Sequence, residues 1–486
     1  MGQAVRHVPG RGGAAYVRPD EAGADRERRR PADVRVQGPV AGCPQGAERA
    51  GTGQVPLRPA GVGARGRGRS GRLSPDEPPG RGLPVTSVAV LGSGLFGIAA
   101  VRGLRRSGFE ATWLSEDPVP GGLWREESRA SKVYPSLLMI TPGGDSVFAE
   151  HRAELGNPDR FLRWREYADY LARAVPDGDE KRVFGARVRE CRPVGDGWEV
   201  HADGEFVEKF DWIVNATGRN NRPSALPVPA EGTAYRYVHA AEYRELSDVR
   251  DARCLVVGLG QSGVDIASDL ALRGNEVDCS IRSSSWIVPK YLLGKPARVS
   301  RASGLARRLG SPVKRRLTPH LLRFLVGRQD VWGLPEPAAG AMPVVSDLFL
   351  HVLRHGLVTL RPAVESLGEK EVCFADGSEE RYDVVVSATG YEWALPHLPA
   401  AVEESVRDDG LLLGMVPPAV DRLILLNGFR CKGAAMACAE IQGELVPRIV
   451  RGDLASLARN VSPLSQDRAR AGFTGPEYQD YLRGHR

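Results

Sequence analysis

The sequence predicts an α/β protein built from two Rossmann-like dinucleotide-binding domains, the second inserted into the first. Three observations carry that expectation. Val88-Ala89-Val90-Leu91 is a short apolar run that breaks into Gly92-Ser93-Gly94-Leu95-Phe96-Gly97 and continues with helical spacing to Arg106. A second copy reads Cys254-Leu255-Val256-Val257, then Gly258-Leu259-Gly260-Gln261-Ser262-Gly263, then a helical run to Leu272. Two apolar strands ending in Ala-Thr-Gly, Asp211 to Gly218 and Asp383 to Gly390, mark two crossovers between domains. Strand, glycine turn and helix in that order aim free N–H groups and the positive end of a helix dipole at a phosphate.

Residues 1–84 stand apart. They carry fifteen arginines, no lysine and eight acidic residues, a net +7, so that residues 85–486 sum to −1 of the chain's +6. The basic balance belongs to this segment and not to the body. Lacking apolar periodicity, it cannot bury enough surface to offset chain entropy, and a disordered N-terminal extension is expected. The favoured origin is upstream nucleotide sequence translated from a start placed too early, since Arg-Gly-Pro-Ala-rich text is what a GC-rich stretch yields. A nucleic-acid arm is the third reading. Its best stretch, Arg65-Gly66-Arg67-Gly68-Arg69, has no interleaved aromatic residues to stack on bases, and no nucleic-acid partner is expected.

In the first unit Gly92 permits the tight turn, Gly94 lets the backbone approach a pyrophosphate, and Gly97 lets helix pack closely on strand. The second strand, Glu110 to Ser115, ends where a carboxylate would take both ribose hydroxyls. Ser115 holds that slot with Glu116 beside it, so either Glu116 reaches the ribose or adenosine binding is weaker. Gly121-Gly122-Leu123-Trp124 then pairs close backbone approach with an aromatic ring. Phe161 to Ala174 has helical spacing, and Trp198-Glu199-Val200 reads as a strand.

The second unit continues through Gly274 into a strand, Glu276 to Arg282, with Ser283 and Ser284 following. An arginine where a carboxylate would read a plain ribose matches a 2′-phosphate, so NADPH is predicted over NADH. Residues 296–330 are basic and apolar and read as a solvated helical cover over the nucleotide site. A hairpin is expected around Asp376-Gly377. Leu423 to Leu426 reads as a strand ending at Asn427-Gly428, and a helix carrying Glu440, Ile441 and Gln442 follows Gly433. Residues 453–486 are polar and carry no signal.

The seven cysteines form no Cys-x-x-Cys pair and no Cys/His metal spacing, so no metal is expected and a reducing, cytoplasmic setting fits. No apolar run approaches the ~20 residues that span a bilayer, and no membrane insertion is expected.

With both glycine fingerprints, the Gly-Gly-Leu-Trp turn, both Ala-Thr-Gly strands, Arg282-Ser-Ser-Ser-Trp286, Gly333-Leu-Pro-Glu-Pro and the Glu-Ile-Gln helix in this order, the chain resembles the flavin-containing monooxygenases over about residues 86–452. The resemblance implies FAD on the first unit (residues 85–225, resumed at 391–486) and NADPH on the second (226–390). It implies hydride transfer to the flavin, oxygen addition at C4a, and transfer of the distal oxygen of the hydroperoxyflavin to nitrogen or sulfur of a small molecule. A homodimer is the oligomeric expectation. The implied cofactor contacts are Gly92, Gly94, Gly97, Ser115, Glu116, Gly121, Gly122, Leu123, Trp124, Thr217 and Gly218, with Asn427 and Gln442, for FAD. For NADPH they are Gly258, Gly260, Ser262, Gly263, Arg282, Ser283, Thr389 and Gly390. If the helix after Gly433 points at the flavin ring, its dipole stabilises negative charge near N1 and O2.

The chain also departs from the family. In the signature FxGxxxHxxx(F/Y), Thr233 and Tyr235 replace Phe and Gly, leaving His239 and Tyr243. Those two, with Thr141, are the catalytic candidates, and His239 reads first as a structural or linker residue. The Asn that family members place near the flavin aligns with Ile140, which has no side-chain hydrogen-bonding group, so stabilisation of the hydroperoxide or orientation of the substrate must differ. A nitrogen- or sulfur-oxygenating enzyme is the leading expectation. A related oxidase or reductase, or a carbonyl-inserting oxygenase of Baeyer–Villiger type, competes with it, and a nucleotide-binding protein without turnover is the reading of another class. The substrate pocket is expected from residues 125–160, 290–345 and 391–420, where no charge cluster names a ligand.

Overall fold

Four consecutive apolar residues make β1 (Val88–Leu91) a strand buried on both faces, which requires a parallel sheet covered by helices. The computed structural model describes residues 86–484 apart from 177, 179–180, 229–231, 298–310 and 339–340. The expectation for residues 1–84 lies outside the described residues, as does the part 298–310 of the basic stretch 296–330; Ser311–Val326 of that stretch is a helix.

From β1 the chain enters α1 (Leu95–Arg106), β2 (Ala111–Ser115), β3 (Lys181–Phe184) and β4 (Trp212–Asn215). It then builds a second sheet from β5 (Arg236–His239), β6 (Arg253–Val257), β7 (Glu276–Ser280), β8 (Val358–Arg361) and β9 (Val384–Ser387), with α2 (Gln261–Leu272) after β6. Only then does β10 (Leu423–Leu425) return to the edge of the first sheet, followed by α3 (Ala435–Val450). The sheet orders are β10-β4-β1-β2-β3 and β5-β9-β6-β7-β8, parallel throughout. The two orders correspond strand for strand. Each glycine-motif strand, β1 or β6, lies between its own second strand and the strand that ends in Ala-Thr-Gly. That reversal of direction opens a crevice at the carboxyl ends of the strands. The α/β fold with one nucleotide-binding unit nested in the other is therefore the fold observed.

Each unit also carries a three-stranded antiparallel meander just before its Ala-Thr-Gly strand. One comprises Val188–Val194, Gly197–Ala202 and Phe206–Phe210; the other comprises Val364–Leu367, Val372–Phe374 and Glu379–Glu380 and contains the hairpin expected at Asp376-Gly377. The run expected as one helix from Phe161 divides. Phe161–Arg163 pairs antiparallel with Leu138–Pro142, and the helix starts at Trp164, where the Glu166 carboxylate accepts from the Arg163 amide. Residues 453–486 prove informative only in three dimensions. The helix Gly475–Leu482 inserts Tyr478, fully buried, whose hydroxyl donates to the Leu413 carbonyl at 2.6 Å, and Phe473 and Tyr481 join the same core. Isolated aromatics on short helices give no period to read.

α1 and α3 cross with backbones almost touching. A Cβ on Gly103 would lie 1.9 Å from the Gly443 carbonyl oxygen, and one on Gly443 would lie 2.5 Å from that of Ala99. Alanine at Gly103 is expected to destabilise the fold by about 1–3 kcal/mol through overpacking, against the ~1 kcal/mol it gains in helix propensity. A urea midpoint unchanged or raised by Gly103→Ala would refute this reading of the crossing.

His397 is buried beneath the first sheet, its Nε2–H donating to Asn215 Oδ1 at 2.9 Å, and burial pushes its pKa down to about 4. An unfolded histidine titrates near ~6.5. Between those values a falling pH loads a proton on the unfolded chain that the native ring refuses, so stability falls with pH, by up to ~1.4 kcal/mol per unit. Urea midpoints at pH 7 and pH 5 are expected to differ less in His397→Gln than in the parent; equal differences would remove His397 from the account.

Candidate cofactor and active site

The same glycine geometry is built twice. Gly92 (φ +100°) and Gly258 (φ +109°) occupy backbone space that L side chains rarely enter, and a Cβ on them would meet Ala216 O at 2.6 Å and Ala388 O at 2.8 Å. Those alanines open the two Ala-Thr-Gly segments. The carbonyl of each first glycine is in turn covered by the third, since a Cβ on Gly97 would lie 2.0 Å from Gly92 O and one on Gly263 would lie 1.9 Å from Gly258 O. Glycine turn, helix and Ala-Thr-Gly strand thus form one interlocked unit in each domain.

The middle glycines behave differently. Gly94 and Gly260 are the N-caps of α1 and α2, both extended, without a side-chain cap and with no acidic residue in the first turn. The nearest atom to a Cβ on Gly94 is Gly122 Cα at 3.9 Å, and none lies within 4 Å at Gly260. The N–H groups of each first turn therefore face open space that only a missing side chain provides, and a diphosphate fits both cradles. Ser262 stands exposed in the first turn of α2.

The Gly121–Trp124 turn closes over the first cradle. The Gly121 amide donates to Ser93 O at 2.8 Å, a Cβ on Gly122 would come within 2.9 Å of Gly94 Cα, and Trp124 meets Tyr167 edge-on at 5.0 Å. Ser115 is turned inward: its hydroxyl is 2.7 Å from that of Ser93 and accepts from the Asp117 amide. Glu116 faces outward, with Arg187 3.7 Å away. In the second unit Arg282 and Ser283 are exposed just past the end of β7, and Arg282 has no ion-pair partner among the described residues. Thr217 and Gly218 follow β4, and Thr389 and Gly390 follow β9. Thr389 Oγ1 is 2.8 Å from Ser387 Oγ and also donates to Ser224 O, which joins the two crossovers. The crossovers run side by side: Arg222–Pro223 pairs with Tyr391–Glu392, and the Asn221 amide group bonds both backbone groups of Ala394. At the entry to α3, Asn427 (φ 59°) donates its amide to Gln442 Oε1 at 2.9 Å, and α3 begins without a side-chain cap or an acidic residue in its first turn.

Residues 85–466 match the flavin-binding monooxygenase-like family. The chain belongs to that family. It is 27% identical over 402 residues to the rat (Rattus norvegicus) dimethylaniline monooxygenase [N-oxide-forming] 2, covering 76% of this chain and 74% of that protein. Among solved structures, the flavin-containing monooxygenase from Stenotrophomonas maltophilia superposes with a TM-score of 0.54 at 19% identity, over 76% of this chain and 99% of that one. The closed form of cyclohexanone monooxygenase superposes at 0.60 and 17% identity, over 76% and 85%. As a flavin-binding monooxygenase, the protein is an FAD- and NADPH-dependent oxidoreductase.

The altered family signature has a structural use. The Thr233 hydroxyl donates to Tyr235 O at 2.7 Å, and the Tyr235 hydroxyl to Gly368 O at 2.9 Å, tying the start of β5 to the second meander. His239 Nδ1 accepts from the Ala241 amide at 3.1 Å, which leaves its Nε2–H to donate to Gly390 O at 3.0 Å. Burial keeps its pKa below the ordinary range. The ring therefore pins the second crossover, as a linker histidine would. Tyr243 is fully buried and donates to Asp269 of α2 at 2.5 Å; burial, then that carboxylate, raise its pKa far above the usual value. Its hydroxyl therefore ties the stretch after β5 to α2. Thr141 Oγ1 lies 2.7 Å from Ser146 Oγ on a partly buried strand next to Ile140. No hydrogen bond links Thr141, His239 and Tyr243 to one another among the described residues.

Two basic side chains escaped sequence reasoning in this flavin-binding monooxygenase. Lys132 Nζ sits 4.5 Å over the Tyr391 ring, which meets His239 edge-on at 5.0 Å, so the ammonium bridges the first cradle's loop and the second crossover. Burial lowers its pKa. Arg219 follows the first Ala-Thr-Gly. Neither has a periodic or motif signal; only burial without a carboxylate marks them.

Proposed function

We propose that the enzyme uses NADPH and O2 to place one oxygen atom on nitrogen or sulfur of a small molecule. FAD is held by residues 85–225 and 391–486 and NADPH by residues 226–390. The observation that carries this reading is the twinned cradle: two uncapped helix N-termini, each behind a glycine whose Cβ would fill the diphosphate's space, in a chain of a flavin-binding family.

Bound FAD supplies hydride acceptance from NADPH and activation of O2. The residues supply the rest. Gly92, Gly94 and Gly97 with the first turn of α1 hold the FAD diphosphate, Glu116 takes the ribose that the inward-facing Ser115 cannot, and Gly121 to Trp124 shut water out. The α3 N-terminus, set by Asn427 and Gln442, faces negative charge on the ring. Gly258, Gly260, Ser262 and Gly263 with Arg282 and Ser283 hold NADPH, and Thr217, Gly218, Thr389 and Gly390 line the crossovers between the two cofactors. A cytoplasmic homodimer is part of the same proposal. It is in keeping with the six cysteines among the described residues being free thiols, and no described helix is long and apolar enough to cross a membrane.

The test is anaerobic reduction of the flavin by NADPH followed by admission of ¹⁸O₂ with a panel of amines, thioethers and ketones. One labelled oxygen in an N-oxide or sulfoxide supports the proposal. Label in a lactone or ester would move it to carbonyl insertion, and hydrogen peroxide as the sole product with every compound would overturn it.

A further inference from the structure

Five buried side-chain nitrogen and oxygen atoms lack a hydrogen-bond partner among the described residues, and two of them belong to charged groups, Arg219 Nη1 and Arg253 Nε. Arg253 is compensated by Glu276 at 3.3 Å and Glu380 at 3.0 Å. Arg219 has no ion pair among the described residues. Its charged neighbour is another cation, Arg430, and Cys431 lies beside it; burial and Arg430 both lower its pKa. The residue as a whole is part-exposed, yet Nη1 is shut away from water with no acceptor, and a guanidinium nitrogen desolvated without an anion is costly unless a ligand completes it.

The location narrows the ligand. Arg219 leaves the carboxyl end of β4 directly after Thr217 and Gly218, and its neighbours Arg430 and Cys431 are on the loop from β10 into α3. It therefore stands at the crevice end of the first sheet, between the glycine cradle and the α3 N-terminus. The other negative groups of the functional reading already have partners. The FAD diphosphate has the α1 N-terminus, the flavin ring has the α3 N-terminus, and NADPH has α2 and Arg282. Arg219 is a further cation at the ring end, part-exposed as a residue and so reachable, with exposed Thr217, Asn220 and Arg430 around it.

We propose that Arg219, with Arg430 behind it, is the receptor for a carboxylate on the substrate, so that the enzyme acts on anionic amines or thioethers such as amino acids and thioether acids rather than on neutral lipophilic ones. The proposal rests on the flavin monooxygenase reading above. Planar guanidinium and planar carboxylate pair in two parallel hydrogen bonds, which fixes the orientation of the rest of the molecule as well as its affinity.

The probes are 3-(methylthio)propanoate and its neutral amide, titrated into oxidised holoenzyme and followed by perturbation of the flavin absorption bands. The parent enzyme is expected to bind the acid at least tenfold more tightly than the amide. Arg219→Gln is expected to raise Kd for the acid at least tenfold and leave that for the amide unchanged, with Arg219→Lys in between. Without ligand, Arg219→Gln is expected to melt no lower than the parent, because it removes a partly desolvated charge that has no anion. Equal affinity of the parent for acid and amide, or no saturable perturbation by either, overturns the proposal. So does an Arg219→Gln protein that purifies without flavin, which would place Arg219 against the cofactor. If the acid binds through Arg219 but no oxygen atom from O2 enters it or any other thioether or amine, the monooxygenase reading fails while the carboxylate receptor stands.

Discussion

Alanine at Gly97 is expected to give a protein that purifies colourless, with affinity for FAD at least ~100-fold weaker, or about 2.7 kcal/mol. The new Cβ would fall 2.0 Å from the Gly92 carbonyl oxygen. That oxygen cannot swing aside. It accepts from Trp113 Nε1 at 3.0 Å, the Gly92 amide donates to Leu114 O at 2.8 Å, and the other side of Gly92 is pressed on Ala216. α1 must therefore move off the turn, taking its first-turn N–H groups away from the diphosphate. Overpacking is expected to cost a further ~1–3 kcal/mol of fold stability. Gly94→Ala separates the two effects, because its Cβ meets no protein atom closer than 3.9 Å. It should melt with the parent apoprotein yet fail to take up FAD. The check is the flavin-to-protein absorbance ratio with thermal melts of both variants; a Gly97→Ala protein with stoichiometric flavin would show that the cradle is not where FAD binds.

Arg282→Ala is expected to raise KM for NADPH about ten- to hundredfold and to leave KM for NADH within about twofold. A hydrogen bond to a charged group contributes ~1.5–3 kcal/mol, and each ~1.4 kcal/mol is a factor of ten. Arg282 stands exposed beyond β7 at the end of the sheet where α2 begins, with no carboxylate claiming it among the described residues. Because it is exposed, the preference for NADPH should shrink as salt rises. Equal rises in KM for both nucleotides would place the 2′-phosphate elsewhere.

Much of the fold was legible because its signals are local. Gly-x-Gly-x-x-Gly after an apolar run specifies a turn, a helix start and a close contact within a few residues, and the two copies could be counted. The Ala-Thr-Gly segments were legible only as repeats. Why they accompany the fingerprints appears when Ala216 and Ala388 are seen pressed on Gly92 and Gly258, partners more than a hundred residues away in sequence. Ser115 and Glu116 could be named as alternatives, but that the Ser115 hydroxyl turns inward onto Ser93 could not be read. Tyr243 matched a signature, but its burial and its bond to Asp269 could not be read from it. Arg219 matched nothing and stands out only through its surroundings; the pocket expected from residues 125–160, 290–345 and 391–420 left it out.

The sequence by itself determined two strand–glycine–helix units and their nesting, because backbone sterics and turn chemistry act between neighbours. The tertiary structure alone decided which carbonyl each glycine meets, how nearly α1 and α3 touch at Gly103 and Gly443, that the Ser115 hydroxyl turns onto Ser93, and that Arg219 Nη1 is buried without a partner among the described residues. Those are matters of close packing and desolvation between residues far apart in the chain, and no local pattern encodes them.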